Sequence, residues 1–119
     1  MKRYTIGLIF CFFISGCSLT VNYFPKSSNL YTPKSSSHPI TVFQMNEVLP
    51  NIYIVIGSIN VHDTMLMTLK CGYNDVIMAA QNQARDVGGD AIQIIQMIPD
   101  ITGDCFNLIV NVLVANTDN

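Results

Sequence analysis

From residue 106 onward, apolar side chains return at every second position: Phe106, Leu108, Val110, Val112 and Val114 alternate with polar residues at Asn107 and Asn111. A period of two sets alternate side chains on opposite faces of a pleated strand, so this stretch predicts a strand with one face in a core. Ala91 to Ile98 is more continuously apolar and predicts a buried strand, closed by turn residues at Pro99-Asp100 and Thr102-Gly103-Asp104. Between Asn74 and Val87 the period changes. Val76, Ile77, Ala80, Ala84 and Val87 fall three and four apart, which gathers them on one face of an amphipathic helix. Asn74 or Asp75 can cap its first amides, and Gly88-Gly89 supplies the positive φ that stops it.

Upstream, Ile52 to Val61 is apolar on both faces until Ser58 and Asn60, as suits a central strand. Ile40 to Val48 alternates loosely and predicts a first strand, with Pro50-Asn51 as the turn between the two. Asp100 to Cys105 is short enough to join the last two strands as a hairpin. The strand ending at Val61 needs the helix as a crossover to reach its neighbour. The expected fold is α+β, a β-β-α-β-β domain over residues 40–119 with one amphipathic helix packed on a small sheet.

From Ser18 to Pro39 Ser, Pro, Asn and Thr dominate, and the stretch is expected to be a tether. It contains a short tandem repeat, Tyr23-Phe24-Pro25-Lys26-Ser27-Ser28 followed by Tyr31-Thr32-Pro33-Lys34-Ser35-Ser36. Prolines 25, 33 and 39 favour extended backbone, so roughly 22 residues at ~3.1 Å each would reach up to ~70 Å.

Half of the 119 residues are apolar, a fraction inflated by the first sixteen. There, Lys2 and Arg3 precede an uncharged run from Tyr4 to Phe13, followed by the small residues Ser15 and Gly16. That order is the signature of a secretory signal, and a run of about ten apolar residues is roughly half of what a helix needs to cross a bilayer. Ile14-Ser15-Gly16-Cys17 resembles the lipobox of bacterial lipoproteins. The resemblance implies a signal peptide over residues 1–16, diacylglycerol on the Cys17 thiol, and a third acyl chain on the amine freed by cleavage. The alternative is an ordinary secretory signal with an incidental cysteine. Two or three acyl chains anchor a protein stably where one does not. In enterobacterial lipoproteins an aspartate after the lipidated cysteine signals retention in the inner membrane. Ser18 stands there instead, so the outer membrane is the expected location, with residues 17–39 as the lipidated tether and residues 40–119 in the periplasm.

Cys11 leaves with the signal and Cys17 is consumed by lipid, so the mature domain keeps Cys71 and Cys105. Two thiols in an oxidising periplasm pair, and this bond would fasten the start of the helix to the start of the last strand. A redox-active pair or a metal site at Cys71 and Cys105 is the alternative. Against it, the Cys-x-x-Cys spacing is absent and no second Cys or His sits at ligand spacing near His62, Asp63 or Asp104. His62-Asp63 is not read as a general base with its orienter, because adjacent strand residues point to opposite faces. Serine elbows, phosphate-cradling loops and paired glutamates are lacking, so neither a catalytic residue, a cofactor nor a small-molecule substrate is expected. Residues 40–119 carry Lys70 and Arg85 against eight acids, a net −6, whereas the tether carries +2 from Lys26 and Lys34. An acidic domain without tryptophan or a basic patch repels phosphate backbones, and nucleic acid is set aside. The polar helix face is rich in amides, which tolerate desolvation better than carboxylates do, and a face at Gln81, Asn82 and Arg85 is the first place to expect an envelope protein partner.

One family likeness runs through these elements. Ile56-Gly57-Ser58-Ile59 lies on a strand, Cys71 precedes the helix, Ala84-Arg85-Asp86-Val87-Gly88-Gly89-Asp90-Ala91-Ile92 leads out of it, and Cys105 opens the last strand. Over about sixty residues, from Tyr53 to Val114, this resembles the RcsF-like family of outer-membrane lipoproteins, which report envelope stress, and more loosely the YbjQ-like domains. The family pattern has Leu-Gly-x-Val on the strand and Gly-Ala-Asn-Ala-Val after the helix, two disulfides where Cys71 and Cys105 supply one, and a strongly basic linker. The resemblance implies a non-enzymatic interaction domain that senses the envelope or assists its assembly.

Overall fold

The alternating stretch becomes the axis of the sheet. In the computed structural model, which describes residues 19–63, 71–99 and 105–116, five strands lie in the order β1-β3-β5-β4-β2. They are β1 (Leu19–Pro25), β2 (Thr41–Phe43), β3 (Tyr53–Asp63), β4 (Ala91–Pro99) and β5 (Phe106–Ala115), with one helix, α1 (Tyr73–Asp86), between β3 and β4 in sequence. β5 pairs antiparallel with both β3 and β4, β1 antiparallel with β3, and β2 parallel with β4. The helix is a crossover, as expected, but β4 is not the neighbour of β3. β5 fills the place between these two parallel strands, which makes a split β-α-β unit.

One face of the sheet carries the core. Leu108, Val110 and Val112 of β5 are fully buried together with Ile59 and Val61 of β3 and Ile92 of β4, and α1 covers them with Val76, Ile77, Ala80 and Ala84. The alanines keep the helix surface low, so that its backbone approaches the sheet closely. Gly72 precedes the helix and offers no capping side chain; Asp75 compensates by accepting the Gly72 amide at 3.1 Å, and its charge suits the positive end of the helix dipole. At the other end Gly88 has φ +90°, and the Gly89 amide returns to the Ala84 carbonyl at 2.7 Å, as in a glycine helix stop.

Cys71 and Cys105 form a disulfide with Cα atoms 4.7 Å apart across 34 residues of sequence. It joins the start of α1 to the start of β5, where the Phe106 amide also donates to the Cys71 carbonyl and Tyr73 meets Phe106 edge to face.

Two expectations are corrected. The first strand, expected over Ile40 to Val48, pairs only over Thr41–Phe43. Ile40 is buried in the core, and beyond Phe43 the chain turns through Asn46 at φ 66°. The larger correction concerns the tether. Leu19–Pro25 is a strand of the sheet, in register with β3 from Leu19↔Asp63 to Pro25↔Gly57. Leu19, Val21 and Tyr23 pack against the core, so a period of two is present in these seven residues; the Ser- and Pro-rich composition begins only after them. Residues 26–40 then run back across the C-terminal half of α1 and form a strap on the domain. Residues 1–18, including Cys17, residues 64–70, the turn residues 100–104 and residues 117–119 lie outside the described residues.

Candidate functional site

The helix face expected to meet a partner meets the chain's own strap. Gln81 Nε2 donates to the Ile40 carbonyl at 3.1 Å, and Arg85 Nε donates to the His38 carbonyl at 2.6 Å. Arg85 also reaches Asn82 Oδ1, and its own carbonyl accepts the Lys34 amide. Asn82 is the exposed member of the three.

The strap is closed by Asp90, the residue after the glycine stop. Its Oδ1 accepts Lys34 Nζ at 3.0 Å and lies 2.9 Å from His38 Nε2, while Oδ2 accepts the Ala115 amide at 2.9 Å. Its backbone completes the junction, its amide donating to Leu113 and its carbonyl accepting Thr41. One carboxylate thereby gathers the strap, the start of β4 and the end of β5. Burial alone would raise the Asp90 pKa, but the Ala115 amide, Lys34 and His38 outweigh it and hold the carboxyl below its ordinary 3.8.

The unclaimed surface is the opposite face of the sheet. Strand register lays its outward side chains in cross-strand rows: Thr20, His62, Asn107 and Ile98; then Asn22, Asn60, Ile109 and Gln96; then Phe24, Ser58, Asn111, Gln93 and Phe43. Beyond these, Phe43 and Tyr53 stack edge to face, and Leu113 lies fully buried. Gln93 holds the loop after β2 here by donating to the Gln44 and Glu47 carbonyls. Nearer the β3–β4 ends, Asn60, His62, Gln96, Ile98, Asn107 and Ile109 line a shallow groove of about 290 Å³. A second groove of about 470 Å³ runs past Phe24, Lys26, Val55 and Asn111.

None of the strand residues on this face is Asp, Glu, Lys or Arg, in a chain with fourteen such residues. The face offers amide donors and acceptors beside aliphatic walls, a composition suited to recognition through hydrogen bonds and apolar contact. Sequence reasoning placed Asn107 and Asn111 on the outward side of β5 but looked for a partner on the helix. The usable signal was the identity of the outward residues, which are amides where a solvated strand face commonly carries charge.

Among the described residues, no group of three His, Cys, Asp or Glu side chains is placed to hold a metal ion, and no helix is long and apolar enough to cross a membrane. His62 lies in the first groove. Cys71 and Cys105 are both buried.

No protein-family model matches the chain, and no curated protein does. Among solved structures it is similar to a Francisella virulence factor, FvfA, with a TM-score of 0.56 and 16% identity over 81% of this chain and 97% of that one. At that identity the likeness establishes a shared fold and nothing finer.

Proposed function

We propose that this chain is a lipid-anchored, non-enzymatic interaction domain of the bacterial envelope, held at the outer membrane through Cys17 and facing the periplasm, where it senses the envelope or assists its assembly. The observation that carries the reading is the amide-lined face of the sheet, whose strand residues include no Asp, Glu, Lys or Arg and whose groove at Asn60, Gln96, Asn107 and Ile109 is left clear by the strap that engages the polar helix face. Amides lose less on desolvation than carboxylates, and Ile109 supplies apolar contact beside them, so the face fits an envelope protein with an equally uncharged surface. The lipobox residues Ile14-Ser15-Gly16-Cys17 and the resemblance to stress-reporting lipoproteins support the address. The buried disulfide between α1 and β5 supports a structural use of Cys71 and Cys105 over the redox or metal-handling alternative.

The test is photocrosslinking of the intact lipoprotein in native envelopes, with a photoreactive residue at Asn107 or, on the helix, at Asn82. An adduct with one defined envelope protein from position 107 and none from 82 is expected. An adduct from position 82 alone overturns the assignment of the face, and adducts from neither overturn the interaction reading.

A further inference from the structure

The strand register fixes which end of this domain meets the membrane. Cys17 stands two residues before Leu19, the first residue of β1. Two residues span at most about 7 Å, so a lipid on Cys17 holds the start of β1 at the bilayer surface, not at the end of a long spacer. Register then carries that position across the sheet: Leu19 pairs with Asp63, and on β5 and β4 the same end is marked by Phe106 opposite Pro99 and Asn107 opposite Ile98. The start of α1 lies at this end too, because Tyr73 stacks on Phe106 and Cys71 is bonded to Cys105.

We infer that this end, presenting Tyr73, Ile98, Pro99 and Phe106, rests on the lipid surface in which the chain is anchored. The inference rests on the lipidation of Cys17 in the proposed function. Its side chains suit the place. Ile98 is 45% exposed and Tyr73 42% exposed, beside a half-buried Phe106 and a Pro that offers no amide. Tyrosine at a membrane interface sets its ring among acyl carbons and its hydroxyl among headgroups. The carboxylate of Asp75 is satisfied at the helix N-terminus, but Asp63 also stands at this end and Asp100 and Asp104 fall in the sequence joining β4 to β5, so apolar contact and the acyl anchor, not charge, would hold this end to the lipid. In this pose β3, with eleven residues at ~3.3 Å each, sets the Asp90 junction up to about 35 Å from this end, and the loop after β2 leaves the sheet beside Gln93, part of the way up.

The chain contains no tryptophan, so a single introduced indole reports its own depth. Ile98→Trp is made in the full lipoprotein, with Tyr73→Trp as a second, more conservative probe and Val48→Trp, 90% exposed in the loop after β2, as the distant control. Each is reconstituted in vesicles of phosphatidylethanolamine and phosphatidylglycerol, with and without brominated acyl chains, and the lipid on Cys17 is verified by intact mass. The expected result is a blue shift and a loss of emission to brominated lipid at positions 98 and 73, and neither at 48. Lipidated protein in which positions 98 and 73 are no more quenched than 48 overturns the orientation and leaves the anchor standing. Protein with no lipid mass at Cys17 overturns both.

Discussion

Lys34 Nζ and Asp90 Oδ1 meet at 3.0 Å across 56 residues of sequence, joining the strap to the turn that ends the only helix among the described residues. Each side chain is largely withdrawn from water, Asp90 more than Lys34, so the contact is stronger than an exposed pair. Asp90→Asn keeps the shape and the bond from the Ala115 amide but removes the charge that Lys34 and His38 address. We expect a loss of about 1–3 kcal/mol in urea denaturation, with faster proteolysis within residues 26–40. Unchanged stability and unchanged cleavage would mean that the junction does not hold the strap.

The sign of the pH dependence follows from the same group. Asp90 has a folded pKa below its ordinary 3.8, so between the two values the unfolded chain binds more protons and stability rises with pH. The contribution is complete above 3.8 and is lost as pH falls through the lower folded value. The difference in unfolding free energy between wild type and Asp90→Asn should therefore shrink on acidification through this range. A constant difference would show that the carboxylate charge is not what matters.

Most of the scaffold was legible because its signals are local. Val76, Ile77, Ala80 and Ala84 declare the helix by spacing, Gly88 its end, and the Asn107 and Asn111 alternation the last strand. β1 was written in the same code: Leu19, Val21 and Tyr23 alternate with Thr20 and Asn22, but over only a few residues and against the Ser/Pro composition that follows. What no local pattern encodes is where that strand docks or what Lys34 and His38 find at Asp90. Those partners are set by β3, α1 and the sheet together. For the same reason the sequence does not show that Gln81 and Arg85, expected on a face open to a partner, bond to the strap.

Both tyrosines of the repeat lie against glycine, Tyr23 of β1 on Gly57 and Tyr31 of the strap on Gly88. A Cβ at Gly57 would lie 2.6–2.7 Å from the Tyr23 ring and hydroxyl, and one at Gly88 would lie 2.6 Å from Tyr31 Cβ and 2.8 Å from the Thr32 carbonyl. Gly88→Ala also forces a side chain into φ +90°. We expect it to cost at least about 1–3 kcal/mol, and Gly57→Ala to cost less when combined with Tyr23→Ala than the single effects sum to. Coupling below about 0.5 kcal/mol in that cycle would deny the close contact at Gly57.

The disulfide is expected to act on stability as one unit. Cys71→Ala, Cys105→Ala and the double substitution should each destabilise by roughly 2–5 kcal/mol, because the same bond is lost in all three. Denaturation midpoints compared under non-reducing conditions check this. A double variant much more or much less stable than both singles would reveal a separate role for one thiol, and free thiols titrated in protein from native envelopes would revive the redox alternative.

A spacer and a folded strap make opposite demands on residues 27–39. If they only separate domain from anchor, a Gly/Ser segment of equal length should leave the domain's stability untouched, since flexible linkers carry no contacts. The structure says otherwise: the segment holds Tyr31 against Gly88, Lys34 and His38 on Asp90, and the His38 carbonyl on Arg85. Its replacement should cost on the order of 3 kcal/mol, from lost partial burial of Tyr31 and lost charge-assisted bonds. The two explanations of such a loss separate by non-additivity. In the Gly/Ser background Asp90→Asn should have little further effect, because its partners on the strap are already gone, and restoring Tyr31 and Lys34 should recover most of the stability. If Asp90→Asn costs as much there as in wild type, the Asp90 charge acts without the strap, and the strap is a passenger on the domain.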